Sequence, residues 1–106
     1  MNANIKKNRS SQITKIIFAI RSQALDIKVW HDWKYEDNAC VACNLHEENI
    51  EHFLICEAYE NCAQERNWKD ILENNPDRQF YIGKIAQKRM KHRQKLLKNK
   101  AAGLSQ

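Results

Sequence analysis

Residues 40–56 read CVACNLHEENIEHFLIC and contain three cysteines and a histidine in the spacing C-x2-C-x8-H-x3-C. Two cysteines separated by two residues fit on one tight turn, and His52 and Cys56, four residues apart, face the same side of a helix. Three thiolates and one imidazole complete the tetrahedral shell of a structural Zn²⁺. We therefore predict a zinc site at Cys40, Cys43, His52 and Cys56, with no coordination position left for a substrate or an activated water.

Alternative interpretations of the cysteines fit the pattern less well than zinc. A Cys-x2-Cys pair by itself is also typical of a redox dithiol or of two free thiols, and an even number of cysteines can indicate disulfides in a secreted protein. Cys62 lies ten residues after His52 and does not share its helix face, so we predict a packed or free thiol there. His46 is expected in an exposed loop, and His31 at the surface or in a packing role.

The size and composition indicate one small domain, residues 1–106. A hydrophobic content of 42% supports only a modest core, so a bound metal would contribute part of the free energy of folding. No apolar run is as long as a membrane-spanning helix, which needs about 18 residues or more. The N-terminal segment also lacks the continuous apolar core of a signal peptide. We therefore expect an intracellular protein with reduced thiols and no membrane association.

Hydrophobic periodicity predicts a mainly α fold. Residues 11–29 carry apolar side chains at helical spacing, namely Ile13, Ile16, Ile17, Ile20, Ala24 and Ile27. Residues 1–10 are predicted to form a basic arm before this helix. Residues 30–39 are expected to form a connector whose aromatic side chains pack onto the zinc turn. Asn44 is predicted to be a turn residue after Cys43, since asparagine tolerates a left-handed backbone. Residues 48–59 are predicted to form the helix of the metal motif.

The second half of the chain predicts two more helices. Residues 63–73 are expected to form a short helix whose inward side chains are Trp68, Ile71 and Leu72. Pro76 lies in the turn that ends this helix, and Asp77 can cap the next one. Residues 78–99 form the last predicted helix, which is basic. The predicted fold is therefore a small helical domain stapled by one structural zinc, bound by a Cys-x2-Cys turn plus a helix.

Positive charge is concentrated in the last helix. Residues 79–106 contain eight Lys or Arg residues and no Asp or Glu. At about 100° per residue, five lysines form one stripe, at Lys84, Lys88, Lys91, Lys95 and Lys98. An ordinary solvated helix face mixes charges of both signs, so the absence of acidic residues favours phosphate binding over that alternative. The tract KRMKHRQK, residues 88–95, could also serve as a nuclear localisation signal.

The zinc segment itself is acidic. Residues 35–78 contain eleven Asp or Glu residues against three Lys or Arg, so phosphates would be repelled from the metal and attracted to the basic flanks. We therefore predict nucleic-acid contacts through Lys6, Lys7, Arg9, Lys84, Lys88, Arg89, Lys91, Arg93, Lys95 and Lys98. Such phosphate contacts do not read base sequence. The alternative is a fold in which the acidic middle packs against the basic ends, and it predicts weak binding.

The metal segment and the helix before it share motifs with a known family. The run FAIRSQALDIK, residues 18–28, is followed by CVACNLHEENIEHFLICEAY, residues 40–59, and by Arg66. This arrangement resembles the zinc-binding C-terminal region of reverse transcriptases from non-LTR (LINE-type) retroelements, in which an Arg-Ser or Arg-Thr pair precedes a C-x2-C…E-HFL-x-C-x2-Y segment. The matching residues are Arg21, Ser22, Cys40, Cys43, Glu51, His52, Phe53, Leu54, Cys56 and Tyr59. The resemblance covers residues 14–93 and implies a non-catalytic appendage that grips template RNA or target DNA.

The sequence favours a binding module over an enzyme. It has no nucleophile–base pair, no Gly-rich phosphate loop and no open metal shell, and we expect no small-molecule substrate. The first hypothesis is a zinc-stabilised module that binds RNA or DNA. The second is a protein-interaction adaptor or an accessory subunit of a larger complex, in which the aromatic connector and the basic arms contact an acidic partner.

Overall fold

The computed structural model describes the backbone of residues 2–104 and the side chains of residues 12–99. In this range the chain is mainly helical and forms no strand, which confirms the predicted fold class. The elements are α1 (Asn2–Arg21), the 3-10 helix η1 (Lys28–His31), α2 (Ile50–Ile55), the 3-10 helix η2 (Trp68–Leu72) and α3 (Pro76–Leu104). An isolated antiparallel bridge joins Ala39 and Glu47.

Helix α1 begins and ends earlier than the helix predicted over residues 11–29. It runs from Asn2 to Arg21, so nearly all of the predicted basic arm, residues 1–10, belongs to the helix. Ile27 is fully buried although it lies beyond the end of α1. Its place in the apolar repeat therefore reflects burial in the core and not the length of the helix.

The end of α1 is set by Gln23, whose backbone is left-handed with φ 58°. The Ala24 amide donates to the Ala19 carbonyl (2.7 Å), and the Gln23 amide donates to the Ile20 carbonyl (3.2 Å). These two hydrogen bonds form a Schellman motif, which closes the end of a helix. Glycine usually occupies the left-handed position of this motif, so no residue in the sequence marked this helix end.

Helices α1 and α3 approach each other closely at Gly83. A Cβ atom added there would lie 2.8 Å from Ile13 Cγ2 and 2.9 Å from Ile17 Cγ1. On the same two helices Ile20 and Ile82 are buried in the core. The missing side chain at Gly83 therefore lets the α3 backbone contact the isoleucines of α1.

Helix α3 runs from Pro76 to Leu104 and extends beyond the predicted residues 78–99 at both ends. Asn75 caps its start, because Asn75 Oδ1 accepts a hydrogen bond from the Arg78 amide (3.2 Å). The proline therefore begins α3, where its fixed φ and missing amide hydrogen are favourable. Asp77 lies in the first turn and does not take the capping role predicted for it.

The short helix predicted over residues 63–73 is reduced to η2. Ile71 is fully buried and Trp68 is partly buried, as expected, but Leu72 is 51% exposed. A 3-10 helix has three residues per turn, so adjacent residues point to clearly different sides. Only one of the neighbouring Ile71 and Leu72 can therefore face the core.

The connector over residues 30–39 does not place all of its aromatic side chains on the cysteine turn. Trp30 packs against the core, but Trp33 is 80% exposed, which contradicts the expected packing. The Tyr35 hydroxyl donates a hydrogen bond to Asp26 Oδ2 (2.6 Å), just beyond the end of α1. Thus Trp30 packs in the core, Trp33 faces solvent, and Tyr35 contacts the segment that follows α1.

Gly83→Val should destabilise the protein by about 1–3 kcal/mol, because the new side chain would collide with Ile13 and Ile17. Lys91→Val is a matched control, since it puts the same residue at an exposed position of α3 and carries only a helix-propensity cost below about 1 kcal/mol. Urea unfolding followed by circular dichroism measures both variants. Equal losses of stability would contradict the close approach at Gly83.

Candidate metal centre

Backbone hydrogen bonds shape the Cys-x2-Cys turn. The Cys40 amide donates to the His46 carbonyl (2.8 Å), and the Asn44 amide donates to the Cys40 carbonyl (2.9 Å). Asn44 has a left-handed backbone with φ 58°, which confirms the predicted turn residue, since asparagine tolerates this region. The Leu45 amide donates to Cys43 Sγ (3.4 Å). The turn therefore presents both sulfurs and supplies a donor to one of them.

Helix α2 and its C-terminal end carry the other two candidate ligands. Asn49 caps the helix, because Asn49 Oδ1 accepts a hydrogen bond from the His52 amide (2.8 Å). The helix is shorter than the predicted residues 48–59, since Cys56 leaves the helical backbone region with ψ 123°. The Cys56 amide still donates to the His52 carbonyl (2.8 Å), so the two side chains lie one helical turn apart.

Four side chains form the Cys3His cluster, which consists of Cys40, Cys43, His52 and Cys56. Their ligand atoms all lie within 4.8 Å of one another. Cys40 Sγ is 3.8 Å from Cys56 Sγ, and Cys43 Sγ is 3.4 Å from His52 Nε2. In a tetrahedral site with Zn–S bonds of about 2.3 Å, two sulfurs are separated by about 3.8 Å. The predicted residues thus come together and could hold one metal ion, for which zinc is typical.

The other candidate ligands lie outside the Cys3His cluster. Cys62 is a partly buried free thiol. His46 is exposed, as expected, although its ring centroid is 5.0 Å from that of His52. His31 Nε2 lies 3.1 Å from the Leu25 carbonyl oxygen, which fits a packing role. Among the described residues, no second group of His, Cys, Asp or Glu has the geometry of a metal site.

Burial and hydrogen bonding separate the pKa values of the cysteines. Burial raises the pKa of Cys40 to about 12 and also raises the pKa of Cys56. For Cys43, burial raises the pKa of the thiol, but hydrogen bonds from two backbone amides and from the neighbouring cysteine sulfurs together lower it below its usual value. Burial lowers the pKa of His52, which favours the neutral imidazole that a metal requires. Metal binding must displace protons from Cys40 and Cys56, so metal affinity should rise with pH.

The buried carboxylate of Glu48 connects the cysteine turn to α3. Glu48 Oε2 accepts a hydrogen bond from the Val41 amide (3.1 Å), and Glu48 Oε1 accepts one from the Lys28 amide (3.1 Å). Arg93 Nη2 lies 2.7 Å from Glu48 Oε1, and both side chains are fully buried. From the sequence, Glu48 was expected only to add negative charge beside the metal, because its ionic partner is 45 residues away along the chain.

Arg89 binds the C-terminal end of α2. Its Nη1 donates to the carbonyl oxygens of Phe53 (2.9 Å) and Cys56 (3.0 Å), and its Nε donates to that of Ala63 (2.8 Å). Carbonyls at the end of a helix have no intrahelical donor. The guanidinium therefore supplies hydrogen-bond donors to the carbonyls at the end of α2. The same guanidinium lies over the Tyr59 ring, 5.4 Å from its centroid.

The assignment of Arg89 and Arg93 to nucleic acid is wrong. Both side chains are fully buried, and their hydrogen bonds go to the segment that carries the cysteines and to Asp26. They belong to the same side of α3 as the buried Ile85 and Ala86. Their position on the apolar side of the helical repeat is the sequence signal that could have distinguished these buried arginines from the exposed lysines. For the same reason, the tract proposed as a nuclear localisation signal is not a continuous basic surface in the folded protein.

The lysines predicted on α3 do form an exposed stripe. All five are exposed, namely Lys84, Lys88, Lys91, Lys95 and Lys98. Their contact with nucleic acid stays a prediction. The remaining predicted contacts lie outside the residues whose side chains are described, and they are Lys6, Lys7 and Arg9.

Comparisons of this chain with known proteins found no relative. No protein-family model, no curated protein and no solved structure matches the chain. Over the part of the chain that the structure describes, no helix is long and apolar enough to cross a membrane. The Cys3His cluster and the surface of α3 are therefore the features that bear on function.

Removing one ligand should abolish both metal binding and cooperative folding. We expect this of Cys43→Ser and of His52→Ala, because metal binding contributes free energy of folding in small metal-binding domains. Cys62→Ser is the matched control and should retain metal and fold. Zinc content by elemental analysis and thermal unfolding by circular dichroism measure the outcome. Loss of zinc from Cys62→Ser with retention by Cys56→Ser would show that the fourth ligand is wrongly assigned.

Glu48→Gln should destabilise the protein by about 3–5 kcal/mol, because it removes the fully buried partner of Arg93 and leaves only the partly exposed Asp26 to balance its charge. Glu47→Gln makes the same chemical change at the adjacent, exposed carboxylate and should cost less than about 0.5 kcal/mol. Urea unfolding of the zinc-loaded proteins compares the two. Similar unfolding midpoints would show that the ion pair does not hold α3 in place.

Proposed function

We propose that this protein is a zinc-stabilised, non-catalytic nucleic-acid-binding module. The observation that carries the proposal is the division of α3 into two sides. Arg89 and Arg93 are buried against the cysteine segment, whereas the five lysines of the stripe are exposed. In this proposal Zn²⁺ occupies the Cys3His cluster and has a structural role, since four protein ligands leave no open position.

The distribution of charge supports phosphate binding by α3 and not by the metal centre. Residues 78–106 contain no Asp or Glu, so the part of α3 that carries the lysines has no acidic side chain of its own. Around the cluster, Glu47, Glu51 and Glu57 are exposed and would repel phosphates. Lysines on a helix can track a phosphate backbone without reading bases, and the backbones of RNA and DNA both meet that requirement.

The motif resemblance supports the same class of function. An appendage that grips template RNA or target DNA needs a positioned basic surface and no catalytic group of its own. Within the resembling segment, His52 and Cys56 belong to the Cys3His cluster, while Phe53 and Leu54 are fully buried. The shared motif therefore serves the metal site and the core, and this leaves nucleic-acid contact to the flanking α3.

Replacing Lys88, Lys91 and Lys95 together with glutamine should weaken binding to duplex DNA and to structured RNA. The slope of log affinity against log salt concentration is negative, and each phosphate contact that is lost makes it shallower by about 0.9 for duplex DNA. The unfolding temperature should not fall, because the three side chains are exposed. Fluorescence anisotropy of the zinc-loaded protein at several salt concentrations measures affinity and slope together.

A control triple variant removes the same charge elsewhere. Lys15, Lys34 and Lys69 are exposed and lie outside α3, so their replacement with glutamine should leave most of the affinity and the slope intact. Equal losses in the two triple variants would indicate an effect of net charge alone. Unchanged affinity in the α3 variant would refute the assignment of binding to this helix.

A protein-interaction adaptor is the second candidate function. Trp33 and Leu45 are each 80% exposed and lie outside α3, and exposed apolar side chains can serve as contacts for a protein partner. A partner held in this way would stay bound after nuclease treatment and would not depend on the lysines of α3. A partner held through nucleic acid would be released by the nuclease.

A further inference from the structure

Two aromatic side chains lie at the beginning of the lysine stripe on α3. Phe80 and Tyr81 are 39% and 50% exposed. At about 100° per residue, Lys84 projects between these two directions, and Lys88 projects close to that of Tyr81. Lys84 Nζ lies 5.5 Å from the centroid of the Phe80 ring. Exposed rings and exposed cations therefore share one face of the helix.

The ring of Tyr81 lies against the side chain of Arg78. The Arg78 guanidinium lies 5.6 Å from the centroid of the ring. Its Nη2 is 3.0 Å from Glu65 Oε2 and 2.8 Å from Asp70 Oδ2, so the arginine is itself tied to the preceding segment. This contact restricts the Tyr81 side chain, which reduces the conformational freedom that the side chain would lose when a ligand packs against it.

Shallow depressions lie on both sides of these aromatic residues. One of about 280 Å³ is lined by Tyr81, Lys84, Lys88, Ile85 and Ala63. It combines one ring, two cations and apolar walls. A second depression of about 310 Å³ lies on the other side and is lined in part by Phe18, Arg21 and Phe80. Like the first depression, this one is lined by aromatic rings and a cationic side chain.

We propose that α3 binds single-stranded nucleic acid, with an unpaired base stacked on Tyr81 and the adjoining phosphates on Lys84 and Lys88. This inference rests on the proposed function and names its ligand class. Aromatic rings beside a positively charged track are the features with which proteins bind single strands, because every unpaired base offers a flat face for stacking. The bases of a duplex are stacked on one another and offer no such face along the helix. The lysines favour this ligand over an apolar protein partner, since only the nucleic acid supplies phosphates beside flat rings.

The test uses the full-length, zinc-loaded protein and four fluorescent probes of equal length: oligothymidine, oligouridine, an abasic oligodeoxynucleotide and a DNA duplex. Tyr81→Ala should weaken binding to oligothymidine or oligouridine by roughly 5- to 150-fold, the range expected for loss of one base–aromatic stack. The abasic probe has phosphates but no bases, so its affinity should be nearly unchanged. Tyr81→Trp should retain binding to the oligomers that carry bases. Trp33→Ala removes a more exposed aromatic side chain outside α3 and should have no effect.

The other outcomes distinguish a failure of base stacking from a failure of the proposed function. If Tyr81→Ala binds oligothymidine and oligouridine as tightly as the unaltered protein while the α3 lysine variant does not, stacking is refuted and the proposed function stands. If Tyr81→Ala weakens the abasic probe equally, the ring only supports the helix and stacking is again refuted. If the unaltered protein binds neither these four probes nor the structured RNA near physiological salt, the proposed function itself fails. Self-association that disappears in Tyr81→Ala would assign this face to a second copy of the chain.

Discussion

The buried carboxylate of Glu48 is the point at which the separate parts of this small protein are joined. Its two oxygens accept hydrogen bonds from the cysteine turn at Val41, from the start of η1 at Lys28 and from Arg93 on α3. A buried ion pair contributes little net stability compared with well-packed apolar groups, but loss of one partner is costly. Glu48 and Arg93 therefore act mainly to fix one arrangement, in which α3 has a defined position relative to the candidate metal ligands.

Helix α2 depends on its neighbours in the same way. It has six residues, Ile50–Ile55, and a helix of that length is unstable in isolation because nucleation is costly. Asn49 satisfies an amide at its start, and Arg89 satisfies carbonyls at its end. The two candidate ligands at this helix, His52 and Cys56, are thus positioned by side chains from outside it. Helix α3 therefore takes part in building the candidate metal site.

The parts of the structure that follow from local spacing could be predicted from the sequence, whereas those that depend on distant partners could not. The Cys3His cluster and the left-handed turn at Asn44 are set within 17 residues, so residue types and intervals were sufficient. Arg89 and Arg93 were mistaken for surface charges, since their partners lie in other segments and a basic residue is normally exposed. The end of α1 was misplaced because Gln23 adopts a conformation that glycine usually takes.

The environment of Arg89 has a consequence for the electrostatic balance of the interior. Arg93 is neutralised by Glu48, but the hydrogen bonds described for Arg89 go to carbonyl oxygens, which carry no net charge. A Zn²⁺ bound by three thiolates and a neutral imidazole has a net charge of −1, and Cys56 adjoins the guanidinium. The loaded cluster would then be the counter-ion of Arg89. Loss of the metal followed by protonation of the thiols would leave a buried cation without compensation, in addition to removing a cross-link.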